Sequence, residues 1–182
     1  MRNGSMSTLF SIVAFISAAC PASASPRIFF IPRGVGSLAA SSSHLTSMTV
    51  ARVERIVDGD TIVVSADAAT GLGLSEKVRL IGVDTPETVD PRKPVERFGA
   101  EASRYAQERL LGRTVRLAFD GDLRDRYGRL LAYVFLEDGS CFNLSIVADG
   151  YGFAYTKYPF RFMDEFRAAE REARESRRGL WE

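Results

Sequence analysis

The sequence predicts an α+β fold that is mainly β: a small closed sheet of five strands, of the OB type, with about three helices in a single domain. Three observations carry this. Five short apolar, β-branched runs are bounded by Gly and small polar residues, helical periodicity appears between and after them, and no internal repeat or low-complexity run interrupts residues 50–182.

The elements follow in chain order. Arg52 to Val57 and Thr61 to Ser65 read as strands on either side of an Asp58-Gly59-Asp60 turn, and Lys77 to Val83 reads as a third strand after a long hairpin tip from Ala66 to Glu76. In Arg97 to Leu111, Phe98, Ala102, Tyr105, Ala106 and Leu110 fall at helical spacing, and Gly112 supplies a stop. Thr114 to Phe119 and Leu130 to Leu136 are the last two strands, joined by the polar stretch Asp120 to Gly128. Phe142 to Ala148, closed by Gly150, makes a short helix, and Phe162 to Ser176 a longer one whose Glu and Arg residues read as a solvated face with i,i+4 pairs.

Residues 1–24 have the pattern of an export signal: Arg2 as a basic start, an apolar run from Leu9 to Ala19, and Ala22-Ser23-Ala24 as an A-x-A cleavage site, so secretion or a periplasmic location is expected. The apolar run is too short for the roughly 20 residues that span a bilayer. Cys20 raises a lipid-modified alternative, although Ser17 stands where Leu is usual, and Met48 is an alternative start. Residues 25–49, with Pro, Gly and a Ser41-Ser42-Ser43 run, read as a linker, which leaves residues 50–182 as the folded domain. After cleavage Cys141 is the only cysteine, so no intramolecular disulfide is expected and packing must supply stability.

At 46% hydrophobic and 26% charged residues, the chain suits one domain with a real core. Lys and Arg number 24 against 23 for Asp and Glu, so the chain lacks the strongly basic balance of a nucleic-acid coat and must grip an anionic partner locally. The single histidine, His44, lies in the Ser-rich linker, which argues against catalysis by a histidine base. No coiled-coil repeat or spare apolar helix remains, so a monomer without a stable protein partner is expected.

The chemistry concentrates between Val57 and Glu87. Asp58, Asp60, Asp84 and Glu87 gather with Arg79 at the ends of paired strands, where like charges disfavour joint ionisation and a bound cation relieves them. Each feature alone has an ordinary reading: Asp-Gly-Asp as a turn, Arg79 as a solvated strand residue, Arg129 as a turn residue. Neither Asp58-Gly59-Asp60 nor Asp120-Gly121-Asp122 begins an EF-hand loop, because the sixth and twelfth positions are Val63 and Ala69 in one and Asp125 and Leu131 in the other, where Gly and Glu are wanted.

Between Val53 and Trp181 the chain carries, in order, Asp58-Gly59-Asp60-Thr61, Arg79 leading to Val83-Asp84-Thr85-Pro86-Glu87-Thr88, Phe98-Gly99-Ala100-Glu101-Ala102, Asp125-Arg126-Tyr127-Gly128-Arg129-Leu130-Leu131-Ala132-Tyr133, and Arg178-Gly179-Leu180-Trp181. With this set it resembles the staphylococcal nuclease (thermonuclease) family. Each motif is weak alone; the ordered set is specific. It implies a five-stranded OB barrel with helices and a calcium-dependent phosphodiesterase, an endonuclease acting on DNA and RNA.

Carried over by motif position, the resemblance makes Asp60, Asp84 and the carbonyl of Thr85 calcium ligands. It makes Arg79 and Arg129 the grip on the scissile phosphate, Glu87 the group that orients or deprotonates the attacking water, and Tyr127 a contact to a neighbouring phosphate. Hard oxygen ligands suit calcium, and guanidinium pairs bidentately with phosphate. The segment from Asp60 to Arg79 is several residues longer than in the staphylococcal enzyme, and Gly150 to Tyr158 about one shorter, so Tyr155 is the best match to the second phosphate-contacting tyrosine, with Tyr151 and Tyr158 as alternatives. Lys77, Arg92, Lys93 and Arg126 are further cations that no motif fixes. A module of the family that binds nucleic acid or protein without cleaving is the alternative; such members lack part of the catalytic set, which is complete here.

Overall fold

The computed structural model describes residues 48–66, 70, 72–86 and 98–182. The signal and linker readings up to residue 47, with Cys20 and His44, lie outside the described residues, as do Glu87, Thr88, Arg92, Lys93, Arg97 and part of the hairpin tip.

Among the described residues, seven strands, three helices and a closing 3-10 turn form in the order β1 (Thr49–Asp58), β2 (Thr61–Ala66), β3 (Glu76–Leu80), β4 (Val83–Asp84), α1 (Gly99–Leu110), β5 (Thr114–Ala118), β6 (Leu130–Phe135), α2 (Phe142–Ala148), β7 (Phe153–Ala154), α3 (Met163–Glu175) and Gly179–Trp181. Five of the strands close into a barrel in the order β1-β2-β3-β6-β5, with only β3 and β6 parallel. This is the closed five-stranded sheet that the strand pattern predicts.

Alternation along β1 shows how the sequence builds the wall. Ala51 and Val53 point inward and are buried while Arg52 and Glu54 are exposed, and a bulge between Val53 and Arg55 increases the local twist that closure requires. β6 is buried on both faces, because Leu130, Ala132 and Val134 face the barrel and α2 packs behind it. Tyr133, Phe135, Phe142, Phe162 and Phe166 are the largest fully buried side chains and join the barrel to α2 and α3.

The run Lys77 to Val83 is not one strand. Pairing stops at Leu80, and Ile81-Gly82 form a turn with Gly82 at φ +75°, a conformation that glycine adopts without steric cost. The chain then restarts as β4, which pairs with β7 rather than with the barrel, Val83 opposite Ala154 and Asp84 opposite Phe153. A two-residue strand carries no period of its own, so β7 gives no sequence signal.

Asn143, fully buried at the start of α2, fastens this departure point. Its amide donates to the carbonyls of Ile81 and Ala132 (both 3.0 Å) and its Oδ1 accepts from the Val134 N–H (2.8 Å). The side chain thus continues the β6 ladder where β3 has left it.

Candidate active site

The turn between β1 and β2 sets the first acidic groups. Gly59 is packed so closely that a Cβ there would meet Thr85 at 2.8 Å and Ala102 of α1 at 2.9 Å, so only glycine lets the turn nest under the chain after β4. That approach lets the Thr85 N–H donate to Asp60 Oδ2 (3.2 Å), while Asp60 Oδ1 accepts from the Thr61 hydroxyl (2.9 Å). Asp60 is therefore nearly buried at 7% exposure yet fully engaged.

Arg79, on β3 and opposite Thr61 in the ladder, reaches across the strand ends. Its Nη1 lies 2.9 Å from Asp60 Oδ2 and donates to the Val83 carbonyl (2.6 Å), and its Nη2 donates to Asp84 Oδ1 (3.1 Å). Two carboxylates, one from the β1–β2 turn and one from β4, thus meet the same guanidinium. Carboxylate oxygens are the hard donors that a divalent ion takes, so Asp60 and Asp84 fit such an ion in type, although among the described residues no group of three acidic, His or Cys side chains forms a closed metal cage. Behind them the Asp58 carboxyl is pushed up to about 7, chiefly by burial and further by the neighbouring Asp60 charge, and it accepts the Asp60 N–H (3.2 Å).

The turn from Arg124 to Leu130 brings in the second arginine. Arg129 is clamped on Asp125, Nε and Nη2 both at 2.8 Å from the single oxygen Oδ2, and its Nη1 reaches the Thr61 hydroxyl at 3.4 Å. Asp125 also accepts the N–H groups of Tyr127 (2.9 Å) and Arg129 (3.0 Å). Burial alone would raise its carboxyl, but these bonds outweigh it and hold the group below the usual range. Arg124 braces the same turn, donating to both oxygens of Glu76 (2.8 and 2.9 Å) and to the Gly128 carbonyl (2.8 Å).

Thr61 thus links the two guanidiniums through Asp60, and the site is one connected network: Asp84, Arg79, Asp60, Thr61, Arg129, Asp125. Tyr127 stands at its rim, 67% exposed, with the Arg126 and Arg129 guanidiniums 4.7 and 5.5 Å from its ring. Tyr155 is tied by its N–H to the Gly82 carbonyl (2.9 Å), and its ring lies 6.1 Å from that of exposed Tyr158. Tyr151 is instead stacked on Tyr105 at 4.6 Å and packed against the core. Of the residues expected from the sequence, the structure gathers Asp60, Arg79, Asp84, Thr85 and Arg129, sets Tyr127 beside Arg129 and Tyr155 beside the turn before β4, and does not describe Glu87.

A family model described as staphylococcal nuclease homologue matches residues 77–182. Over 133 residues the chain is 41% identical to a thermonuclease of Staphylococcus intermedius, an overlap that covers 71% of this chain and 74% of the relative. The chain belongs to the staphylococcal nuclease family. It is also 38% identical to a thermonuclease of Staphylococcus hyicus (71% of this chain, 74% of the relative) and 38% identical to endonuclease YncB of Bacillus subtilis (71% of this chain, 60% of the relative). In this member of the family, Asp58, Asp60 and Thr61 precede the stretch that the family model matches, and the contacts of Asp60 to Arg79 and Thr85 join them to it.

Asp125 and Thr61 have no role assigned by the sequence pattern. Asp125 had a readable signal, the i,i+4 spacing to Arg129 within one turn, whereas Thr61 becomes visible only when β2 and the Arg124–Leu130 turn meet in space.

Proposed function

We propose that the protein is an exported, calcium-dependent endonuclease that hydrolyses phosphodiester bonds of DNA and RNA. The observation that carries the reading is the joining of two carboxylates and two guanidiniums in one network at the barrel's strand ends. The thermonuclease and endonuclease names of the relatives point the same way.

Asp60, Asp84 and the Thr85 carbonyl would hold the calcium, leaving much of a six- to eight-oxygen shell to water and substrate. When bound, the ion supplies Lewis-acid polarisation of the phosphoryl oxygen. Arg79 is positioned by Asp60, Asp84 and Val83, and Arg129 by Asp125, so both guanidiniums reach a phosphate already oriented and need little rearrangement as charge grows on it. Glu87 would orient or deprotonate the attacking water, a role a carboxylate fills without a histidine. Tyr127 and Tyr155 would contact flanking phosphates, and the chain would act as a monomer.

Initial rates on fluorogenic DNA and RNA oligonucleotides of equal length test the reading. Cleavage of both in calcium is expected; a folded protein that binds both and leaves them intact refutes it. Export rests on the pattern of residues 1–24, and mass spectrometry of secreted material should find a mature N-terminus near Ser25. A secreted product retaining Met1 would remove that part of the proposal.

A further inference from the structure

The outward face of the barrel carries cations that the site does not use. Side chains alternate along a strand, so Thr61, Val63 and Ser65 of β2 share one side with their ladder partners, Arg79 and Lys77 on β3 and Arg55 and Arg52 on β1; Thr61 and Val63 are themselves buried, so the exposed cations flank β2. The face continues onto β5, where Arg52 stands opposite Thr114 and Val50 opposite Arg116. Arg52, Arg55, Lys77 and Arg116 are exposed, and among the described residues the side chains of these four form no hydrogen bond or ion pair. Glu54, in the bulge, is the only exposed carboxylate of β1, β2, β3 and β5, since Glu76 is held by Arg124.

The four cations form a file that begins at the active-site arginine. From Arg79 to Lys77 is about 6.6 Å along β3, from Lys77 to Arg55 about 10 Å across two strand spacings, and from Arg55 to Arg52, three residues apart through the bulge, at most about 10 Å. Arg116 follows about 8 Å further on, one strand over and two residues along. At the far end lies a shallow open depression of about 570 Å³ bordered by Val50, Arg52, Ser65 and Thr114. Unpaired cations at such steps favour a polyanion, and continuity with Arg79 and the phosphate site selects which one.

We propose that this face is a docking track for the sugar–phosphate backbone of a single nucleic-acid strand that continues from the cleaved phosphate at Arg79 across Lys77 and Arg55 to Arg52 and Arg116. The inference rests on the nuclease reading for the position of the scissile phosphate. The track would add affinity for long substrates and leave the chemical step alone, because none of the three arginines beyond Lys77 touches the catalytic network.

The test compares the full chain with the triple variant Arg52→Gln/Arg55→Gln/Arg116→Gln and with the charge-retaining Arg52→Lys/Arg55→Lys/Arg116→Lys. Binding of a fluorescent single-stranded 20-mer DNA is followed by anisotropy against salt, in chelator so that nothing is cut. Each phosphate contact on a single strand contributes about 0.7 to the slope of log affinity against log salt, so the glutamine variant should lose about 2 from the slope and at least about tenfold in affinity at low salt. The lysine variant should keep both. In calcium, KM for the 20-mer should rise by a similar factor, while kcat and the turnover of a dinucleotide stay as in the parent. If the triple glutamine variant does not fold, Arg52→Gln and Arg116→Gln singly should each lower the slope by about 0.7.

A glutamine variant with the parent's slope and affinity overturns the track. The two readings fail separately: cleavage with an unaffected glutamine variant removes the track and keeps the nuclease, whereas salt-dependent binding lost in that variant, with no cleavage by the parent, removes the nuclease and keeps the track.

Discussion

Replacing Asn143 by Leu keeps the volume at the start of α2 but removes the three hydrogen bonds that tie β6 to the exit of β3. The Ala132 carbonyl still accepts the Ile81 N–H (3.1 Å), so two groups are stranded, the Val134 N–H and the Ile81 carbonyl. Parallel pairing between β3 and β6 ends at Leu80 opposite Ala132, which leaves no β3 backbone to replace the lost partner of Val134, and Asn143 is fully buried, so bulk water cannot either. A buried backbone group left unpaired costs about 1–3 kcal/mol, so the variant should lose about 2–6 kcal/mol. A domain of this kind has about 5–15 kcal/mol in total. Equilibrium urea unfolding followed by circular dichroism measures the loss, with an unchanged slope against denaturant showing that the comparison is valid. A loss under about 1 kcal/mol would refute the view that this side chain completes the ladder.

Three further outcomes are expected. Arg129→Ala and Glu87→Gln should each lower kcat by about a hundredfold to a thousandfold, the cost of losing one preorganised group, with substrate binding changed much less and the two losses not additive; a defect confined to KM would show the wrong role. Burial pushes the Cys141 thiol up to about 12, so at pH 8 a thiol reagent should leave Cys141 unlabelled in the folded protein and label it in denaturant, and rapid labelling of the native state would contradict its placement. The Arg124 bond holds the Glu76 carboxyl low, and Asp125 is held low by Arg129 and Tyr127 against the effect of burial. Depressed carboxyls stabilise the fold above their unfolded values of about 3.9–4.3, and that contribution is lost as pH falls through the lower folded values. Between about pH 5 and pH 3 the melting temperature of Glu76→Gln/Asp125→Asn should therefore fall less than that of the parent; equal falls would show that these pairs do not form in solution.

The barrel strands were legible because each carries a run of apolar, β-branched residues long enough to show a period, α1 because its apolar positions recur at helical spacing, and α3 because its Glu and Arg residues make a solvated face. The break at Ile81-Gly82 was not, since Leu80, Ile81 and Val83 are all apolar and a glycine among them does not announce a left-handed turn. β7 was invisible for want of length. At the site, Asp60, Arg79 and Asp84 were readable as charged residues at strand ends and in a family pattern, Arg129 only in the family pattern. Their coupling through Thr61 was not, because it depends on β2 and the Arg124–Leu130 turn meeting across 68 residues of sequence. The cationic face from Lys77 to Arg116 was hidden for the same reason: its members are scattered along the sequence and collected only by the register of four strands.

The proposed function turns on cation-assisted phosphodiester hydrolysis at Asp60 and Asp84, and nicking of supercoiled plasmid DNA tests it most directly. The parent protein should convert plasmid to nicked and linear forms in calcium and stop when a chelator is added, and Asp60→Ala, folded by circular dichroism, should be inactive at the same calcium concentration. Cleavage that persists in chelator, or an Asp60→Ala variant with the parent's activity, would contradict it.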